Sequence, residues 1–218
     1  MKGLEIGTGK RLSEIVAEEL PGNDIAVWLG PGHVQEFLSG IPNCMVIDSA
    51  SDAVKERLVS SFSSDLIRFY YGGDLLGNEI GAAAKNVVGI AAGVLDGMNL
   101  SSLKGALMSR GTREIARLIA AMGGNELSAY GLCHLGDYEA TVFSKFSHNR
   151  TFGEKLAKGE KFDHLAEGVY TVKALMDLSS QYGVDLPIAS AVHAVLYENK
   201  PISECLDKLF MRSIKKEF

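Results

Sequence analysis

The stretch from Glu79 to Gly97 sets a single lysine, Lys85, in a long run of small and apolar residues, with Asn86 beside it. An ammonium on such a helix is costly to desolvate unless something compensates. Desolvation also lowers its pKa, which is how lysines become acids and bases near neutral pH. The small neighbours leave room for another helix or a ligand to come close to the backbone. On the local run alone, a reactive buried lysine and a core helix whose lysine snorkels to water are equally good readings.

Further motifs follow in order. They are Ser109-Arg110-Gly111-Thr112-Arg113-Glu114, Gly131-Leu132-Cys133-His134-Leu135-Gly136-Asp137, Ser147-His148-Asn149-Arg150-Thr151-Phe152-Gly153, and Glu167-Gly168. Together with Gly77, Glu79, Gly81, Lys85, Asn86, Val87, Ala91, Gly93, Asp96 and Gly97, their order and spacing resemble the NAD(P)-dependent glycerol-3-phosphate dehydrogenases. In that family the lysine run opens the C-terminal helical domain and reads roughly Gly-x-Glu-Leu-Gly-Gly-Ala-Leu-Lys-Asn-Val. The later motifs read Thr-Arg-Gly-x-x-Glu, Gly-Leu-x-Gly-Leu-Gly-Asp, Ser-Arg-Asn-Arg-x-Phe-Gly and Glu-Gly. The resemblance covers nearly the whole chain. It implies an α/β remnant in residues 1–73, the outer strands of a doubly wound Rossmann-type sheet, followed by an all-α substrate-binding domain in residues 74–218. It also implies NAD or NADP as cofactor, a small phosphorylated substrate and a homodimer.

A dinucleotide-binding start would be a strand, a Gly-x-Gly-x-x-Gly turn and a helix. Gly7-Thr8-Gly9 offers two glycines, but the third position is Leu12 and no apolar strand precedes it. A phosphate loop fails as well, with Leu4 at its first glycine and Arg11 after Lys10. A surface turn leading into a helix fits better. Met1-Lys2-Gly3-Leu4-Glu5 resembles the family's Lys-Gly-x-Glu, which lies inside its nucleotide domain. The chain thus reads as a member lacking its first part, on the order of 100 residues, about one small domain.

Composition excludes several classes. Hydrophobic residues at 46% and charged ones at 22% suit a folded globular chain. A net charge of -5 leaves no basic footprint for nucleic acid. No uninterrupted apolar run reaches the roughly 18 residues of a bilayer span, because Asp96 closes the longest candidate. No secretory leader pattern is present. Cys44, Cys133 and Cys205 are odd in number without CxxC spacing, as reduced core thiols of a cytoplasmic protein are.

Ile25–Leu29, Cys44–Ile47 and Leu66–Tyr71 read as strands, the first as a buried parallel strand meeting a loop. Ser51-Asp52 reads as a cap ahead of a helix over 53–61. From about residue 74 the pattern turns helical, with helices over 75–97, 103–122, 150–158, 167–182, 187–197 and 203–210, and a loop or helix start over 131–141. Such a sheet remnant would show a raw edge and an uncovered face.

Oxidising a secondary alcohol needs a base for the hydroxyl proton, and the reverse reaction needs an acid. The resemblance assigns this role to Lys85, with Asp137 and Lys2 as its catalytic partners. Without the resemblance, Asp137 reads as a helix cap and Lys2 as a surface residue. Lys2, Gly30, Asn86, Thr141, Ser147, His148 and Asn149 match substrate-side positions; Val34, His148, Leu165 and Glu167 match cofactor-side ones. A buried threonine bonded to backbone would look like Thr141, and a polar cap would account for Ser147 and Asn149 without a ligand. Glu167 alone reads as a helix-start carboxylate. No metal-ligand spacing is found, and His33, His164 and His193 read as structural.

The chain departs from the family where a phosphate would bind. The arginine before Asn149 is His148, only partly charged at neutral pH as histidines are, and Arg150 could compensate only if the loop shifts. Gly32 lacks a hydroxyl, Ala82 stands for a glycine, Ala84 for a leucine and His134 for a glycine. The segment between Gly153 and Glu167 is shorter than in most bacterial members. Three readings stand: an enzyme of this family that is inactive as the isolated chain for want of its missing first part, a non-catalytic helical module that binds a small phosphorylated ligand or self-associates, and a related dehydrogenase with another substrate.

Overall fold

The structure, a computed structural model, describes residues 2–32, 34–214 and 216–217. Its spine is helix α4 (Leu75–Gly97), nearly all of it buried. Asp74 caps this helix by accepting the Gly77 N–H at 3.1 Å. The same carboxylate accepts the Asn125 N–H at 2.9 Å and the Ser128 hydroxyl at 2.7 Å, which ties the chain after α5 (Lys104–Ala121) to the start of α4. By length and hydropathy α4 meets the measure of a bilayer-spanning helix, yet 78% of that window is buried against the rest of the protein. Counting uninterrupted apolar residues missed this, because Glu79 and Lys85 break the run without breaking the helix.

The small residues of α4 admit α6 (His148–Ala157) at very close range. A Cβ on Gly93 would collide with the Arg150 carbonyl, and one on Gly153 with the Ile90 carbonyl. α7 (Glu167–Tyr182), α8 (Pro187–Tyr197) and α9 (Ile202–Phe210) complete the helical domain. Ile80, Val87 and Ile90 of α4 meet Ile115, Leu118 and Ile119 of α5 and Val172, Leu175 and Leu178 of α7 in one core. The buried Glu114 carboxylate accepts the Ile188 and Ala189 N–H groups at 2.9 and 3.1 Å, so it fills the N-terminus of α8. Burial pushes that carboxyl up to about 7 against the pull of the two N–H donors.

Three strands precede this domain in the order β1 (Ala26–Leu29), β2 (Asn43–Ser49), β3 (Ile67–Tyr71). β2 and β3 are parallel and are joined by α3 (Asp52–Phe62), which Ser51 caps as read from the sequence. β1 corrects the sequence reading: it runs antiparallel to β2 and is half-buried, with Trp28 exposed and packed edgewise on Phe69. A parallel return needs a crossover long enough to carry the chain back along the sheet. Among the described residues, the link from Leu29 to Asn43 instead holds only the five-residue helix α2 (Val34–Leu38), with Gly30, Gly32 and Gly40 at positive φ turning the chain back. Trp28, Tyr70 and Tyr71 leave the sheet with exposed apolar surface. Leu29 and Val46 pack on Ala82 and Cys133, which seats the sheet on the first half of α4. A short helix, α1 (Leu12–Glu19), follows the Gly7–Gly9 turn. Its N-terminus is filled by Glu79, which accepts the Ser13 N–H at 2.9 Å.

Candidate active site

Lys85 sits on α4 behind three alanines, and its ammonium meets the single turns that follow α5. Asp137 lies in a 3-10 turn (Leu135–Asp137) and Thr141 in the π-turn after it (Glu139–Phe143). Lys85 Nζ is 2.9 Å from Asp137 Oδ2 and donates to Thr141 Oγ1 at 2.6 Å. Lys2 Nζ pairs with the same Asp137 oxygen and donates to the Gly30 carbonyl at 3.2 Å. One carboxylate, 1% exposed, therefore holds two ammonium groups, and Lys85 is itself only 7% exposed. Burial lowers the Lys85 pKa to about 8, Asp137 pulls it back up, and the Lys2 charge pushes it further down. The result is a buried amine that exchanges its proton near neutral pH, beside a hydroxyl and a fixed carboxylate. Asp137 is not a helix cap, and Thr141 bonds the lysine rather than only backbone.

Asn86, the next residue of α4, donates through its Nδ2 to Glu167 Oε2 at 3.2 Å. The two are thus partners across α4 and α7. At the start of α6, Ser147 accepts the Arg150 N–H at 3.3 Å and is an N-cap. The Asn149 side-chain Oδ1 accepts the Gly168 N–H at 2.8 Å and joins α6 to α7. His148 is exposed, its Nδ1 lies 3.2 Å from the Leu165 carbonyl, and its ring stacks on His164 at 5.4 Å. Arg150 does not compensate for His148, because its Nε donates to Asp96 at 2.7 Å and its guanidinium also pairs with Glu154. Leu165 and Val34 are exposed. His33 lies outside the described residues. His193 is 3.4 Å from the Glu198 carboxylate. Cys133 and Cys205 are buried free thiols and Cys44 is half-buried. Burial raises the Cys133 thiol to about 12, which makes it inert.

Two buried groups have structural roles that the sequence reading did not assign. His134, fully buried, lies 2.8 Å from the Gly81 carbonyl through Nδ1 and 2.8 Å from the Tyr138 hydroxyl through Nε2. Its four-residue spacing from Tyr138 was the available signal. Glu114 sat in a recognised motif, but its partner is an element more than seventy residues away. A cavity of about 640 Å³ lies elsewhere, among apolar residues of α5, α8 and α9 such as Leu107, Val192 and Leu206. Neither Lys2, Lys85 nor Asp137 lines it. The lysine cluster is the better candidate, because it gathers buried, paired charges whose proton affinity burial has shifted.

A strand-bearing segment joined to helices that enclose a proton-exchanging lysine marks the class of a two-part oxidoreductase. Residues 74–207 match the model for the NAD-dependent glycerol-3-phosphate dehydrogenase C-terminus, and residues 1–55 that for its N-terminus. Glycerol-3-phosphate dehydrogenase [NAD(P)+] from Pelodictyon phaeoclathratiforme is 38% identical, over 99% of this chain and 68% of that protein. The same enzyme from Prosthecochloris aestuarii is 40% identical over the same shares. The crystal structure of glycerol-3-phosphate dehydrogenase from Coxiella burnetii is similar at a TM-score of 0.90 and 30% identity, covering 97% of this chain and 67% of that one. The chain belongs to the NAD-dependent glycerol-3-phosphate dehydrogenase family.

Proposed function

We propose that the chain carries the substrate side of the interconversion of sn-glycerol 3-phosphate and dihydroxyacetone phosphate with NAD or NADP. The observation that supports this most is the buried Lys85, lowered to about 8 and held between Asp137 and Thr141. As the neutral amine, Lys85 takes the proton of the substrate C2 hydroxyl; as the ammonium, it returns the proton to the carbonyl oxygen. Asp137 orients that amine and balances the charge it gains. Lys2, anchored on the Gly30 carbonyl, supplies a second cation beside the reacting oxygen. Thr141 keeps the Nζ in place, and Asn86 is the neighbouring group for a substrate oxygen. Ser147, His148 and Asn149, at the start of α6, are assigned to the phosphate.

The residues present fit one end of the cofactor. Asn86 and Glu167 form an amide–carboxylate pair suited to a carboxamide, and the exposed Leu165 and Val34 offer apolar surface to a flat ring. When bound, the nicotinamide accepts or returns the hydride. The α1 N-terminus, already filled by Glu79, does not fit the pyrophosphate. The free thiols suit a reducing compartment, and we place the chain in the cytoplasm. A homodimer is its expected assembly, which analytical ultracentrifugation tests.

Turnover at saturating cofactor, measured in a chain extended with the family's dinucleotide-binding start, tests the reading. Lys85→Met keeps the bulk and removes the proton carrier, so kcat is expected to fall about 10²–10⁴-fold with the fold intact. Oxidation by the unaltered protein should rise with pH through about 8. A Lys85→Met protein that retains most of its turnover overturns the assignment.

A further inference from the structure

We infer that His134 is a positioning residue for the Lys85–Asp137 pair, fastening the turn that carries the aspartate to the turn of α4 that carries the lysine. A carbonyl only accepts, so the contact from Nδ1 to the Gly81 oxygen places the ring proton on Nδ1. Nε2 is then the acceptor for the Tyr138 hydroxyl. In an α-helix the Gly81 carbonyl also receives the amide of the residue four ahead, which is Lys85. His134 therefore grips the peptide oxygen on which the Lys85 backbone hangs.

The other half of the clamp is the histidine's own backbone. The Asp137 N–H donates to the His134 carbonyl at 3.1 Å. Asp137 is thus bracketed, by the His134 main chain on one side and by the anchored Tyr138 on the other. Close approach depends on Gly81, where a Cβ would stand 2.9 Å from the His134 Cβ. α5 backs the far end, since a Cβ on Gly111 would stand 3.2 Å from the Tyr138 hydroxyl oxygen. Burial holds the imidazole neutral, lowered to about 4, so this bonding pattern persists across the working pH range. The geometry stands without the catalytic role proposed for Lys85; only its effect on turnover rests on that reading.

The test uses the 218-residue chain with ¹³C-labelled lysine, and Lys85→Met assigns the Lys85 signal. Asn in place of His134 sets an amide N–H where Nδ1 stands and can still reach the Gly81 carbonyl; Gln reaches the Nε2 position instead. Asp137 and Lys2, the other charges facing Lys85, stay unchanged in both variants. In His134→Gln the loosened turn admits water, and the Lys85 midpoint is expected to rise toward the ordinary lysine value by ~0.5 unit or more. His134→Asn should keep the midpoint of the unaltered protein. Both variants are isopolar and keep most of the buried volume, and circular dichroism checks that each is folded. Equal midpoints in the two variants overturn the inference and leave His134 as core filling. A midpoint shift without any change in the kcat of a chain extended with the family's dinucleotide-binding start upholds the positioning role and counts instead against Lys85 as the proton carrier.

Discussion

Asp137 binds two ammonium groups through one oxygen, and the lysine more completely buried behind it is the one whose proton becomes labile. Burial lowers the Lys85 pKa and Asp137 opposes it, so removing the carboxylate charge shifts the balance one way. In Asp137→Asn, Lys85 is expected to titrate below its present value of about 8. The fold should lose about 3–5 kcal/mol, the cost of stripping one partner from a buried ion pair. Lysine NMR and urea melts check the two effects, and a Lys85 midpoint at or above that of the unaltered protein would show that Asp137 does not support the ammonium. At the proposed phosphate end, His148 has one ring nitrogen near the Leu165 carbonyl. An arginine there carries a permanent charge and a two-pronged donor. His148→Arg is expected to tighten glycerol 3-phosphate binding by on the order of 1–3 kcal/mol by calorimetry; unchanged or weaker binding places the phosphate elsewhere. The grouping of Lys85, Asp137, Thr141 and Lys2 was legible through the family motifs, whereas Asp137 and Lys2 taken alone read as a cap and a surface residue. The ties of Arg150 to Asp96 and of His134 to Gly81 were not legible, since each depends on which segments fold back against α4.

Packing of α4 against α6 is governed by positions without a side chain. At Gly93 the obstacle is the Arg150 backbone carbonyl, which cannot swing aside as a flexible side chain does. Gly93→Ala is therefore expected to force the helices apart and cost about 1–3 kcal/mol, the range for overpacking. Gly105, in α5, has nothing within 4 Å of its would-be Cβ. Gly105→Ala should instead stabilise by about 0.5–1 kcal/mol, the helical penalty of glycine. Urea melts of the pair separate contact from propensity, and equal effects would mean that α6 yields freely. The bounds of α4, α7 and α8 were readable because each carries its own end signals: Asp74 as a cap, Gly183 in the left-handed region, Pro187 at a helix start. The direction of β1 was not, because apolar strands look alike either way and the deciding feature is the backbone of a glycine-rich link. The 135–143 turns were also obscure, their 3-10 and π geometry being set by the lysine and histidine partners they serve.

The two parts of the molecule are joined through buried polar groups as well as apolar contact. Asp48 of β2 accepts the Asn78 amide at 2.7 Å and the Asp74 N–H at 3.2 Å. Glu79 of α4 holds Arg11 at 3.0 Å and the start of α1. Two other buried groups, Glu114 and His134, make stability depend on pH, and they act in opposite senses. Glu114 is raised from 4.5 to about 7, so the folded state binds that proton more tightly. Its contribution is complete below about 4.5 and is lost as pH rises toward 7. His134 is lowered from 6.5 to about 4, so its contribution is complete above about 6.5 and is lost as pH falls toward 4. Between those limits the two slopes oppose, and the unaltered protein is expected to show a flattened stability profile. Glu114→Gln removes one slope, so stability should then climb as pH rises from 4 to 6.5. His134→Asn removes the other, so stability should fall as pH rises from 4.5 to 7. Each change is on the order of 1–3 kcal/mol, following from the shift in proton affinity on folding. Urea melts in half-unit steps from about pH 4 to 7.5 cover both windows. A Glu114→Gln protein with the slope of the unaltered one would mean that the Ile188 and Ala189 N–H groups keep Glu114 charged, so that burial no longer governs its proton.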